Sequence, residues 1–134
     1  RDYKVTGVQT CALPILLAAF DLPKPESTVG ARSESATALQ ALAMMNNPLP
    51  RLSAGDWARR VLAESGEDAG RVERMFRTAL GRPADRESTD AALEFLARQE
   101  SGHRAAGAGD ESRLRAWTDL GLTIFSMGEF LYIR

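Results

Sequence analysis

The sequence predicts an all-α protein, about five helices gathered in an irregular bundle. Three observations carry this. Apolar residues recur at i, i+3, i+4 and i+7 in successive stretches. Capping residues and Pro or Gly punctuate those stretches at helix-length intervals. Strand-like alternation is confined to Phe130–Ile133, which reads as readily as a packed tail or a helix end.

Taken in order, Asp21 to Arg32 contains Pro23, Pro25 and Gly30 and reads as an extended lead-in, because each proline lacks an amide donor and restricts the residue before it. The first helix follows behind Ser35 or Thr37 as N-cap, with Leu39, Leu42, Ala43 and Met45 at helical spacing, and Pro48 ends it. After a turn Asn47-Pro48-Leu49-Pro50, Ser53 is the expected N-cap of a second helix over about 54–65, with Leu52 and Trp57 as a hydrophobic staple.

The third helix, about 68–80, has the clearest pattern. Val72, Met75, Phe76, Ala79 and Leu80 share one face, Glu73 and Arg77 can pair on the wet face, and Gly81 closes it. A fourth starts at Asp85 as N-cap and runs to about Gln99, burying Ala92, Phe95 and Leu96, with Gly102 marking its end. Residues 101–110 are small, polar and glycine-rich and predict a mobile surface loop. Asp110 then caps the last helix, which carries Leu114, Trp117, Leu120, Ile124 and Phe125 on one face.

Composition bounds the function. The 134 residues suit one small domain, and 44% hydrophobic with 26% charged residues is ordinary for a globular protein. Val5 to Ile15, VTGVQTCALPI, reads as a translated sequencing-library adapter, so residues 1–16 carry no domain and Cys11 enters no argument about redox chemistry or metal binding. Without that segment 15 basic and 17 acidic residues remain, a net charge of about −2, with the arginines interleaved among acids. That lacks the basic footprint of a nucleic-acid binder. The apolar run near the start is too short and too broken by Pro14 to span a membrane. No cysteine remains for thiolate metal sites or for Cys-x-x-Cys-His haem attachment, so no cofactor is expected in this stretch.

Three ordered blocks resemble the C-terminal part of a domain of large secreted planctomycete proteins, the domain of unknown function 1553, which occurs alongside cytochrome c-like domains. The first comprises Phe20-Asp21-Leu22-Pro23, Glu26, and Arg32 leading into Thr37, Gln40 and Asn46-Asn47-Pro48. The second is Leu80-Gly81-Arg82-Pro83, and the third ends Glu129-Phe130-Leu131-Tyr132. Departures stand at Ala31, Ala36, Ala38, Asn47 and Ser126, where the family tends to have Arg, Asn, Pro, Asp and Asn.

The resemblance implies that residues 17–134 are the C-terminal helical portion of a larger domain, within an extracytoplasmic multidomain protein. It implies partners too: the upstream half of the same polypeptide and a cytochrome c-like domain, with haem held elsewhere in the protein. It implies no reaction. A fragment of such a domain is expected to expose apolar surface and to be marginally stable or self-associating.

Each candidate polar residue has a structural reading that outweighs a chemical one. Gln40, Asn46 and Asn47 could bind a sugar hydroxyl, but carboxamides at a helix end more often satisfy backbone groups or shape a turn. Arg32 with Asp21 or Glu26 fits a local salt bridge better than an anion site. Asp119 and Glu129, about 15 Å apart if one helix spans both, do not suit a glycosidase carboxylate pair. His103 is read as solvent-exposed, and Trp57 and Trp117 as core. The leading expectation is therefore a non-catalytic structural or interaction module. Its rivals are a portion of a hydrolytic, carbohydrate-active enzyme whose catalytic residues lie upstream, and a docking module for a c-type cytochrome domain.

Overall fold

A computed structural model describes Leu42 and residues 46–131. Five α-helices and one 3-10 turn make up the described part, with no strand among the described residues. They are α1 (Pro48–Ala63), α2 (Asp68–Leu80), α3 (Arg86–Ala105), the 3-10 turn Gly109–Glu111, α4 (Ser112–Phe125) and α5 (Gly128–Leu131). The all-α class read from the sequence is the class observed. The lead-in and most of the first expected helix lie outside the described residues, although Leu42 and Asn46 are themselves helical.

The start of α1 differs from expectation. Pro48 and Pro50, read as a turn, occupy the first turn of the helix itself, where a missing amide breaks no intrahelical bond. Asn47 is the N-cap. Its Oδ1 accepts from the Leu49 N–H at 2.9 Å, the available first-turn donor between the two prolines. Asn ranks among the best residues for such a cap, which contributes about 1 kcal/mol. Ser53 consequently lies inside the helix rather than capping it, and Leu52 is exposed on the surface instead of forming a staple.

The helix α2 spans the predicted residues, with Val72, Met75 and Phe76 buried and Gly81 in the left-handed conformation at φ 69°, its N–H bonded to the Arg77 carbonyl. Full burial of such side chains contributes roughly 1.5–3 kcal/mol each. Arginines of α2 hold the preceding turn: Arg71 donates to the Glu64 carbonyl at 2.8 Å, and Arg74 pairs with the Glu64 carboxylate. Asp85 caps α3 as expected, accepting from the Ser88 N–H at 2.7 Å.

At its other end α3 corrects the sequence reading. Residues 101–105 continue the helix, Gly102 included, and the reversal falls instead at Gly107 and Gly109, both at positive φ. Tertiary and side-chain contacts overrode the weak local propensity: Glu100 pairs with Arg104 along the helix, and His103 reaches Asp119 on α4. Asp110 sits within the 3-10 turn, and α4 begins at Ser112 behind Glu111 with no side-chain cap.

α4 is the centre of the bundle. Ser112, Ala116, Trp117, Leu120, Gly121, Leu122 and Ile124 are buried, more than one amphipathic stripe, because α1 and α3 pack against different sides of it. The approach of α1 is close: a Cβ added at Gly121 would lie 3.2 Å from the Ala54 Cβ and 3.5 Å from the Trp57 ring. Small residues at Ala54, Ala58 and Gly121 are what permit it. No helix among the described residues is long and apolar enough to cross a membrane.

Replacing Gly121 with Leu should therefore destabilise the chain by about 2 kcal/mol or more in urea unfolding, the cost of overpacking outweighing the helix-propensity gain. Gly70→Ala, on α2 where a Cβ meets nothing within 4 Å, should stabilise it by roughly 0.5–1 kcal/mol. Equal effects at the two positions would refute the close-approach account.

Candidate functional site

Two places gather the polar side chains singled out from the sequence. The first is a junction of motif blocks. Arg82, in the turn after α2, donates through Nε to Glu129 Oε2 at 2.8 Å and through Nη2 to Oε1 at 3.1 Å. This bidentate fork joins the Leu80–Pro83 block to the Glu129–Tyr132 block across 47 residues. The same guanidinium lies 5.8 Å from the centre of the Phe76 ring and donates to the Pro83 carbonyl. Glu129 raises the pKa of Arg82, reinforcing a charge already permanent at neutral pH.

Aromatic rings continue the junction. Trp57 stacks on Phe125 at 5.4 Å with an interplanar angle of 9°, and Phe125 meets Phe130 at 4.9 Å. Trp117 is fully buried, whereas Trp57 is half-buried against the core's edge and Phe130 is exposed. Beside the junction, the Ser88 N–H and then its hydroxyl hold the Asp85 carboxyl below the usual carboxylate range, with Arg82 adding a smaller effect.

The second place is a cleft of about 300 Å³ between α1 and α4, bordered by His103 of α3. His103 is half-buried, not loop-exposed as the sequence suggested: extending α3 by a turn and a half carries its ring to α4, where Nε2 lies 2.6 Å from Asp119 Oδ2. A carboxylate in this position orients an imidazole, as in acyl-transfer triads. The hydroxyl lining the cleft is that of Thr118, which donates to the Leu114 carbonyl of its own helix at 2.8 Å. The dyad therefore has no free hydroxyl among the described cleft residues to activate.

Asp119 and Glu129 do not form a pair: one is engaged by His103 and the other by Arg82. Among the described residues no group of three or more His, Cys, Asp or Glu side chains is placed to hold a metal ion. Of the other sequence-singled residues, Asn46 is exposed on its helix, Pro48 opens α1 and Pro83 is exposed between α2 and α3. Phe20, Asp21, Pro23, Glu26, Arg32, Thr37 and Gln40 lie outside the described residues. The His103–Asp119 contact was missed because it depends on helical geometry where glycines signalled a loop.

The sequence matches the family described as PSD1, protein of unknown function (DUF1553), over residues 3–96. That range includes the Phe20–Pro48 and Leu80–Pro83 blocks and stops short of Glu129. No curated protein and no solved structure matches the chain.

Because its folded pKa is depressed, Asp85 stabilises the chain fully above the ordinary carboxylate pKa of about 3.9, and this contribution is lost as pH falls through the lower folded value. Wild-type protein should thus exceed Asp85→Ala in thermal midpoint at pH 7, and the gap should narrow steadily below about pH 4. A gap independent of pH would mean that the carboxylate's charge has no part in the cap.

Proposed function

This chain belongs to the DUF1553 family, and from that membership we propose that it is a non-catalytic structural and interaction module of a larger, extracytoplasmic, planctomycete-type multidomain protein. The supporting observation is the Arg82–Glu129 fork. The recognisable polar residues of two motif blocks bind each other and brace α2 against α5, so their chemistry is committed to holding helices in place. Asn47 and Pro48 likewise begin a helix.

In this reading the module packs against the upstream portion of its own polypeptide and, where one is attached, a cytochrome c-like domain carrying the haem. Compartment and neighbours follow from the family resemblance. Glu129 is committed to the Arg82 fork, and the His103–Asp119 pair faces no hydroxyl free of its own helix among the described cleft residues, which supports a non-catalytic role.

In the longer protein, R82Q combined with E129Q should lower the thermal midpoint and speed proteolysis around residues 80–84 and 126–131. H103Q and D119N should leave turnover of a panel of polysaccharides and esters within about twofold of wild type, each variant being compared at matched stability. Loss of turnover in H103Q or D119N with the thermal midpoint retained would overturn the non-catalytic reading.

A further inference from the structure

The cleft between α1 and α4 has a charge opposite to that of the chain as a whole. Arg51, Arg59 and Arg115 line it against Glu111 and Asp119, in a protein of net charge −1. The two acids are already engaged, Asp119 by the His103 imidazole at 2.6 Å and Glu111 by Arg115 at 2.8 Å. Arg51 has no carboxylate partner among the described residues. Among the described residues Arg59 is held by Asp56 alone, in an exposed pair of the kind that exchanges readily for a ligand.

Space accompanies the charge. Gly55 lies one turn from both Arg51 and Arg59, and a Cβ there would stand 3.9 Å from Thr118 Oγ1 across the cleft. Arg51 and Arg59, eight residues apart and so about 12 Å apart along α1, flank Gly55 on one side of the cleft, with Arg115 of α4 on the other. Guanidiniums approaching from two helices suit a tetrahedral group, which offers each a separate pair of oxygens, better than a planar carboxylate, which one fork saturates.

We propose that this cleft binds a tetrahedral oxyanion, a phosphate or sulfate group, gripped by Arg51 from α1, with Arg59 moving from Asp56 and Arg115 moving from Glu111 onto the anion, both out of exposed pairs. The body of the ligand lies over Gly55. Binding of this kind goes beyond a structural role, and the module can hold the ligand without transforming it.

The test titrates the intact chain with inorganic phosphate, and separately with inorganic sulfate, at ionic strength fixed with sodium chloride, reading amide shifts by heteronuclear NMR. Saturable shifts at Gly55, His103 and Thr118 are expected, and the tighter of the two anions identifies the group. R51Q and R115Q should each weaken binding about tenfold, and G55L should abolish it in a chain whose circular dichroism melt shows it folded. R60Q, an exposed arginine on α1 outside the cleft, should leave it unchanged. Shifts that do not saturate, equal competition by chloride, or wild-type affinity in R51Q and R115Q would each overturn the proposal.

Discussion

The described bundle depends on the burial of α4 between α1 and α3. A helix covered on two sides must present small residues where one neighbour's backbone comes near and bulky residues where it fills the space to the other. Gly121 against Ala54 supplies the first, and Trp117, Leu120 and Ile124 supply the second. α2 is fixed in turn: its Met75, Val72 and Phe76 enter the same cluster, and Asp68 at its start accepts from Arg113 of α4 at 2.7 Å and 3.0 Å. The negative charge of Asp68 also suits the positive end of the α2 dipole, so one carboxylate serves both helix and tertiary contact.

Around this centre, polar groups divide into two kinds. Arg82 and Glu129 are used up in joining distant segments, together with the stacked rings of Trp57, Phe125 and Phe130. The arginines flanking Gly55 are spread over an opening and are loosely held. Bracing and the proposed anion binding thus fall to different residues. The His103–Asp119 contact borders the cleft and ties the last turn of α3 to α4, so it shapes the cleft's wall as well as closing the bundle.

Much of the fold could be read from the sequence where local pattern and tertiary demand agree. The α2 helix is the clearest case, since its apolar stripe, its Glu73–Arg77 pair and its closing Gly81 all point the same way. Disagreement arose where local signals were ambiguous. Pro48 and Pro50 signal a break in either direction, and only the Asn47 cap shows that they open a helix. Gly102 and its small neighbours favour a loop, yet contacts from Glu100 and His103 hold them helical. The site was less legible than the fold for a simple reason. Arg82 and Glu129 are separated by 47 residues, His103 and Asp119 by 16, and periodicity within one helix carries no information about a partner on another.

Native-state hydrogen exchange on the intact chain tests the central place of α4 most directly. Amides of Ala116 to Ile124 should be the slowest to exchange and should open only with global unfolding, with the same denaturant dependence as the whole chain, while residues 128–131 and 101–107 open at lower free energy. If α4 instead exchanges through a sub-global opening while α2 or α3 remains protected, the bundle is not organised around it and the account fails.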